Sequence, residues 1–157
     1  MKITLLAVGK TTDSIVESLT NVYIERLKHY TDFQFTVIPE LKNTKSMSEQ
    51  EQKQREGELI LKSIPAGSRV ILLDENGKEF TSVEFSQKIN SCMGSGVKNV
   101  IFIIGGPYGF SPDVYAAAQE KISLSRMTFS HQMVRAIFTE QLYRAFTILK
   151  GEPYHHQ

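Results

Sequence analysis

Short apolar runs alternate with segments of helical period along the whole chain, and this alternation limits the possible folds more than any other feature of the sequence. Runs of about four to eight apolar residues favour buried strands, whereas apolar residues recurring every three or four positions favour amphipathic helices. The runs predict strands at 2–8, 33–39, 69–73, 99–104 and 121–125. The periodic segments predict helices near 15–29, 48–63, 81–94, 111–118 and 133–149. We therefore expect an α/β fold with a largely parallel sheet and helices on both faces.

Local signals mark several ends of these elements. Ser48 and Thr81 are each followed three residues later by a glutamate, which is the pattern of a capping box at a helix start. Ser111, followed directly by a proline, predicts another helix start, and Gly151 predicts the end of the last helix. The residues DENGK at 74–78 predict a turn after the third strand.

Composition narrows the class of protein. The 157 residues suit a single domain over 1–157, with 41% hydrophobic and 22% charged residues. No apolar stretch approaches the roughly 20 residues that cross a bilayer, and the first apolar run is too short for a signal peptide. We expect a cytoplasmic protein that does not bind membranes. The net charge of +1 does not identify a nucleic-acid binder, although the C-terminal third is the basic end of the chain.

Several familiar site motifs are missing from the sequence. It contains no G-x-x-x-x-G-K-[ST], and no glycine-rich fingerprint follows the first strand, which argues against P-loop and ordinary dinucleotide-binding enzymes. H-E-x-x-H, a Cys/His cluster and G-x-S-x-G are also absent, so zinc hydrolysis and serine esterase chemistry have no support. Any ligand is expected to bind without a metal.

Three strand ends carry unusual residues. Leu73 precedes DENGK, Ile104 precedes GGPYG, and Leu124 precedes SRMT. Ligands in parallel α/β sheets bind at the carboxyl ends of strands, where these segments lie. Gly105 and Gly106 lack a Cβ that would block a ligand, and they permit positive φ, so they predict a pocket lined by backbone. A plain tight turn is the alternative reading of the paired glycines.

The segments DENGKEFTSVEF, FIIGGPYGF and ISLSRMTFSHQMVRAIFTEQLYRAFTILKGEPYHH, with the opening MKITLLAVGK, resemble the bacterial large-subunit ribosomal RNA methyltransferase H family of the SPOUT superfamily. The resemblance covers essentially the whole chain. It implies S-adenosylmethionine as methyl donor, a homodimer, and methylation of N3 of a pseudouridine in 23S rRNA within the assembled ribosome. It also implies a deep trefoil knot in the C-terminal part of the fold, a rare exception among protein topologies.

The resemblance also assigns site residues. The implied contacts to the methyl donor are Leu73, Gly105, Leu124, Ser125, Arg126, Met127, Thr128 and Phe129. The family's tail folds over the donor site, and this implies catalytic roles for Tyr154, which would position the base, and His155, which would assist proton removal or contact a phosphate. His156 departs from the lysine or arginine that commonly ends the tail in this family.

The last helix supplies the candidate contacts to RNA. We predict that His131, Arg135 and Arg144 lie on roughly one side of it and bind RNA or a partner subunit. A capping histidine and ordinary solvated arginines are the alternatives. Two other functions stay open: a non-catalytic α/β module that binds a nucleotide or RNA, and a SPOUT enzyme that methylates transfer RNA.

Overall fold

Strands and helices alternate in the computed structural model, which describes residues 1–156. The strands are β1 (Lys2–Val8), β2 (Asp32–Ile38), β3 (Arg69–Glu79), β4 (Asn99–Ile104) and β5 (Glu120–Ser123). The helices are α1 (Ser14–Leu27), α2 (Glu49–Lys62), α3 (Ser82–Gly94), α4 (Pro112–Ala117) and α5 (Met133–Lys150). A short 3₁₀ turn, Thr44–Ser46, precedes α2 and was not expected from the sequence.

The strands form one sheet in the order β2-β1-β4-β3-β5, and every neighbouring pair runs parallel. The predicted α/β class is therefore confirmed. The most continuous apolar run of the sequence is β4, which occupies the middle of the sheet. Because the strands are parallel, their carboxyl ends open toward the same edge of the sheet.

Both faces of the sheet are covered, because successive side chains of a strand point to opposite faces. Phe102 and Ile104 pack in a core beneath α1, α3 and α5, whereas Ile101 and Ile103 pack in a second core beneath α2 and α4. All four side chains are at most 4% exposed. Within residues 1–156, no helix is long and apolar enough to cross a membrane.

The predicted helix ends are present. Thr81 and Glu84 form the complete capping box of α3: the Glu84 amide donates to Thr81 Oγ1 at 3.2 Å, and the Thr81 amide donates to Glu84 Oε2 at 2.7 Å. Ser48 accepts a hydrogen bond from the amide of Glu51 at 3.1 Å. Gly151 ends α5 in the left-handed conformation, with φ of 68°.

The prediction of a turn at DENGK is wrong. β3 continues to Glu79, and both Leu73 and Lys78 pair with Ile122, so that residues 74–77 bulge out of the sheet. A Cβ on Gly77 would lie 2.6 Å from the backbone of Ile122. Glycine at this position therefore lets β3 return to β5 after the bulge, which was not apparent from local sequence.

Candidate active site

The carboxyl ends of β3, β4 and β5 enclose a cavity of about 700 Å³, which we call the strand-end cleft. Its walls come from three segments that follow the strands: 73–76, 104–110 and 122–131. The structure thus brings together most positions that the sequence predicts for the methyl donor: Leu73, Gly105, Leu124, Ser125, Met127, Thr128 and Phe129. Arg126 lies in the same loop, but its side chain is 89% exposed and pairs with Glu79 at 3.3 Å.

The two glycines that follow β4 act differently from the prediction. Neither Gly105 nor Gly106 is among the glycines with positive φ. A Cβ on Gly105 would meet the ring of Phe110 at 3.1 Å, and one on Gly106 would lie 2.9 Å from Cδ of Glu56. These glycines therefore make room for side chains of the protein itself. Their backbone still forms a wall of the strand-end cleft.

The loop 124–129 is held in place by polar contacts within itself and to the β3 bulge. Ser125 Oγ accepts a hydrogen bond from the Met127 amide at 3.0 Å, and Thr128 Oγ1 donates to Glu75 Oε2 at 3.3 Å. Met127 is 77% exposed at the mouth of the strand-end cleft. The loop therefore presents an apolar side chain and backbone groups to a ligand.

Asp74 and Glu75 of the β3 bulge and Tyr115 of α4 line the strand-end cleft as well, although the sequence predicts no individual role for any of them. Asp74 and Glu75 place two carboxylates on its rim, and the hydroxyl of Tyr115 donates a hydrogen bond to Asp74. Burial and that hydrogen bond raise the pKa of Tyr115 to about 12. The signal that could have found the carboxylates was their position directly after Leu73, at the end of a strand.

Arg135 does not form the predicted row of exposed guanidinium groups. Its side chain is fully buried, and it donates to the carbonyl oxygens of His131 at 3.1 Å and Val8 at 3.1 Å, and to Thr11 Oγ1 at 2.9 Å. Burial lowers its pKa. Arg144 lies nine residues later, which is two and a half helical turns, so the two arginines face opposite sides of α5. Arg135 therefore cannot contact RNA in this structure.

The start of α5 is tied to the loop that follows β1. Gln132 accepts a hydrogen bond from the Thr12 amide at 2.8 Å and donates to the Lys10 carbonyl at 3.2 Å. His131 precedes the helix, is exposed, and lines the strand-end cleft. Of the three residues predicted to bind RNA, His131 is thus the one that faces this cleft.

The predicted catalytic residues lie in a separate group of side chains, the tail cluster, which comprises Tyr23, Glu140, Tyr143, Arg144, Tyr154 and His155. Tyr154 donates a hydrogen bond to Glu140 Oε1 at 3.0 Å, and the Arg144 guanidinium lies 4.7 Å from the centre of its ring. Arg144 Nη2 also donates to Glu140 Oε1 at 2.5 Å, and its Nη1 lies 3.2 Å from His155 Nδ1. Phenol, guanidinium, carboxylate and imidazole therefore form one connected network.

Electrostatics within the tail cluster favour particular protonation states. Burial, together with hydrogen bonds to Tyr23 and Glu140, raises the pKa of Tyr154. The hydrogen bond to Glu140 likewise raises the pKa of Arg144. Because an arginine offers only donors, Nδ1 of His155 accepts from it, and a neutral ring carries its proton on Nε2. That Nε2 is buried without a hydrogen-bond partner in the part of the chain that the structure describes.

The expectation that the tail folds over the donor site is not met within one chain. None of the residues of the tail cluster lines the strand-end cleft. The tail instead packs against α1 and α5, where the ring of Tyr154 stacks edge-on against Tyr143 at 4.8 Å. The two groups of predicted site residues are therefore separate in the structure of a single chain.

No group of three or more His, Cys, Asp or Glu side chains among residues 1–156 is arranged to hold a metal ion. The strand-end cleft is lined by backbone, apolar side chains, hydroxyls, carboxylates and the imidazole of His131. Residues 1–155 match the model of the family described as "Predicted SPOUT methyltransferase". This match gives the class of the protein.

Curated proteins similar to this chain over its full length give a finer result. The ribosomal RNA large subunit methyltransferase H of Phocaeicola vulgatus is 60% identical over 157 residues, with 100% of both chains covered. The proteins of the same name from Christiangramia forsetii and Flavobacterium johnsoniae are 58% and 56% identical, again over 100% of both chains. The chain therefore belongs to the ribosomal RNA large subunit methyltransferase H family of SPOUT methyltransferases.

Proposed function

We propose that this chain transfers a methyl group from S-adenosylmethionine to N3 of a pseudouridine in 23S rRNA, and that it acts as a homodimer on the assembled ribosome. The family supports methyl transfer to large-subunit ribosomal RNA. The observation that carries the proposal is the strand-end cleft, which gathers Leu73, Gly105 and the loop 124–129. The choice of N3 of pseudouridine, and of the assembled ribosome, follows the family resemblance of the sequence.

The strand-end cleft suits the methyl donor in size and chemistry. Its volume of about 700 Å³ lies within the usual range for small-ligand sites, about 300–1,000 Å³. Leu73, Leu124 and Met127 offer apolar contacts for an adenine ring, and the carboxylates of Asp74 and Glu75 attract positive charge. When bound, S-adenosylmethionine supplies an electrophilic methyl group on a positively charged sulfur. The protein aligns donor and acceptor and excludes water.

The tail cluster suits the acceptor. N3 of pseudouridine carries an imide proton, which passes to water as N3 attacks the methyl group and S-adenosylhomocysteine leaves. Loss of this proton leaves negative charge shared with the neighbouring carbonyl oxygens. The Arg144 guanidinium supplies positive charge that stabilises such an oxygen, and His155 holds the guanidinium in place through the 3.2 Å contact between its Nδ1 and Arg144 Nη1. Tyr154, whose pKa is raised, stays protonated at neutral pH and holds Glu140 by its hydrogen bond, so its role is to position the network.

In the proposed homodimer, the strand-end cleft of one chain and the tail cluster of the other chain form one site. Ile15, Leu19 and Val22 form an apolar stripe on α1 and are 78%, 44% and 45% exposed. The stripe runs beside Tyr23, a member of the tail cluster. A partner that covers this stripe lies beside the tail cluster, and in the proposed dimer its strand-end cleft faces that cluster, so that each complete site contains parts of both chains.

Methyl transfer is tested with labelled S-adenosylmethionine and ribosomes that lack the methyl group. We expect label in large-subunit rRNA, and mass spectrometry of the digested RNA should locate it on N3 of a pseudouridine. Label in transfer RNA instead would identify a different SPOUT substrate. Tight binding of the donor without transfer to any RNA would favour the non-catalytic module.

The dimer is tested by placing a charge on the apolar stripe. Leu19→Glu should give a monomer in sedimentation experiments, should retain S-adenosylmethionine binding, and should lose methyl transfer. Glu58→Lys is the matched control, because Glu58 is exposed on α2, which covers the opposite face of the sheet. A Leu19→Glu protein that stays dimeric, or a monomer with full activity, would contradict the shared site.

A further inference from the structure

A second, smaller cavity adjoins the strand-end cleft. It has a volume of about 170 Å³ and lies between the carboxyl ends of β1 and β4 and the helix α2. We call it the side pocket. Its polar walls and its boundary with the strand-end cleft are formed by Glu40, Thr44, Gln52, Glu56, Pro107 and His131. Pro107, His131 and Gly106 line both cavities, so a group bound in the side pocket lies next to the strand-end cleft.

Glu56 is the unusual residue of the side pocket. It is only 5% exposed, and it forms no salt bridge with any of the described residues 1–156. Its Oε1 accepts a hydrogen bond from Gln52 Nε2 at 3.0 Å, while the carboxylate packs against Gly106. A buried carboxylate normally has a cation or several donors as partners. Glu56 therefore offers a strong acceptor to a ligand in the side pocket.

The packing of α2 explains why Glu56 is buried. A Cβ on Gly57 would lie 3.0 Å from Cβ of Ser111 and 3.2 Å from Cγ2 of Val114, so glycine allows α2 to approach α4 closely. That close approach carries the neighbouring Glu56 inward. Gly106, for its part, leaves the space that the carboxylate occupies. Two glycines thus accommodate one buried acid.

The side pocket has the size of one six-membered ring. An engineered cavity of about 150 Å³ in another protein binds benzene, and the side pocket measures about 170 Å³. Its groups suit a ring with both N–H donors and carbonyl acceptors, because Glu40 and Glu56 supply carboxylates while Gln52 and Thr44 can donate. Pseudouridine has such a ring. It is joined to its sugar through carbon, so both N1 and N3 carry hydrogen, whereas uridine has hydrogen only on N3.

We propose that the side pocket receives the ring of the acceptor nucleotide, and that Glu56 accepts a hydrogen bond from N1–H of pseudouridine, the group that uridine lacks. This inference rests on the proposed function. N1 and N3 flank the same ring carbonyl, on the side away from the sugar. With the sugar at the mouth of the pocket, one ring nitrogen faces the strand-end cleft and the other faces Glu56. Glu56 is thus a specificity-determining residue.

The test compares ribosomes carrying pseudouridine with ribosomes from cells that lack the pseudouridine-forming enzyme and carry uridine at the same position. The wild-type protein should prefer pseudouridine. In Glu56→Gln, the amide oxygen keeps the hydrogen bond from Gln52, so the NH₂ group replaces the free acceptor and opposes N1–H. We expect its kcat/KM on pseudouridine ribosomes to fall about 10-fold to 100-fold, with little change on uridine ribosomes.

The matched control is Glu58→Gln, which makes the same change of charge at an exposed position on the same helix and should keep the wild-type preference. Affinity for S-adenosylmethionine should be unchanged in both variants. A wild-type protein that treats the two ribosomes alike, or a Glu56→Gln protein that keeps the preference, would overturn the inference. If no protein methylates either ribosome, the proposed function itself fails.

Two further measurements do not depend on the folding of the Glu56 variant. Thr44→Trp, at a partly exposed position of the 3₁₀ turn, should fill the side pocket and abolish methyl transfer without weakening S-adenosylmethionine binding. Free pseudouridine and uridine can also be titrated into the wild-type protein with S-adenosylhomocysteine present. Stronger binding of pseudouridine, with NMR shifts at Gly106, supports the inference; equal binding, or shifts elsewhere, overturns it.

Discussion

The strand-end cleft and the tail cluster are built from different parts of the polypeptide. Loops that follow β3, β4 and β5 form the cleft, largely with backbone and apolar surface. The tail cluster consists of side chains that hydrogen bond and stack with one another, such as Tyr154 with Glu140 and Tyr143. The shape of a region made of backbone depends on how closely neighbouring backbone segments can approach. The properties of a region made of side chains depend on particular functional groups. Substitutions should therefore affect the two regions by different routes.

The largest expected effect comes from damaging each region in a different subunit. Thr128→Trp should block the strand-end cleft, and Tyr154→Phe with His155→Ala should disable the tail cluster, each lowering methyl transfer by about 100-fold to 10,000-fold. When equal amounts of the two proteins are unfolded and refolded together, half of the dimers are mixed, and each has one complete site. Activity should return to about a quarter of the wild-type value. A mixture that stays inactive would show that the two regions do not combine across subunits.

The next effect concerns backbone approach at the strand-end cleft. Gly77→Ala places a Cβ 2.6 Å from the Ile122 backbone and should separate β3 from β5. We expect a loss of about 3 kcal/mol in the free energy of unfolding, measured with urea. S-adenosylmethionine affinity, measured by calorimetry, should fall with it. Gly94→Ala is the control, because its Cβ would meet nothing within 4 Å and alanine favours helix. Equal stability of the two variants would show that the close approach of the β3 and β5 backbones at Gly77 does not require glycine.

A smaller effect is expected where α5 meets the loop after β1. Arg135→Met removes the donors to the carbonyls of Val8 and His131 and to Thr11, which should lower the free energy of unfolding by about 2 kcal/mol. Arg55→Met removes an exposed arginine that pairs with Glu51 and should change it by less than about 0.5 kcal/mol. If Arg135→Met instead weakens RNA binding at unchanged stability, Arg135 acts at the surface after all.

The smallest effect is a pH dependence beside the strand-end cleft. Each region contains a tyrosine that donates to a carboxylate, and this prediction concerns the one at the cleft. Tyr115 donates to Asp74 beside the strand-end cleft, and its pKa is raised from 10.0 to about 12. Its contribution to stability is therefore complete below pH 10.0, where the unfolded chain is also protonated, and is lost as pH rises through about 12. Tyr115 is 39% exposed, so screening limits this contribution to less than about 1 kcal/mol.

Tyr115→Phe should accordingly reduce the loss of stability between pH 10.0 and about 12, the interval between the two pKa values of this tyrosine. Urea unfolding across that interval measures the change, and tyrosinate absorption reports the titration directly. Tyr108→Phe, at a 45% exposed position of the glycine loop, serves as the comparison. Identical pH profiles for the wild type and Tyr115→Phe would show that the hydrogen bond to Asp74 does not contribute to stability.

Much of the fold was predictable, because its signals are local. The apolar run of β4 and the capping box at Thr81 depend only on residues close together in the chain, and both are confirmed. The meeting of Leu73, Gly105 and Leu124 also followed from local signals, since parallel strands end at the same edge of a sheet. The trefoil knot, the single domain and the cytoplasmic location stay predictions.

Features that depend on contacts between residues far apart in the chain could not be predicted from the sequence. The spacing along α5 predicts Arg135 at the surface, because nothing near it in the chain shows that Val8 and Thr11 will accept its hydrogen bonds. Glu56 stands in a polar segment, EQEQKQREGELILK, and looks no different from Glu51 or Glu58, which are exposed. Burial of one acid among several is decided by how α2 packs.

Local signals were therefore enough to predict the α/β class, the order of the elements, most of the helix ends and the strand ends that line the strand-end cleft, because hydrogen bonding and hydrophobic periodicity act between neighbours along the chain. Three features became visible only in the folded chain: which charged groups are buried, how the β3 bulge returns to β5, and the distance of the tail cluster from the strand-end cleft. These properties arise from contacts between residues far apart in sequence, where packing and desolvation outweigh local preference.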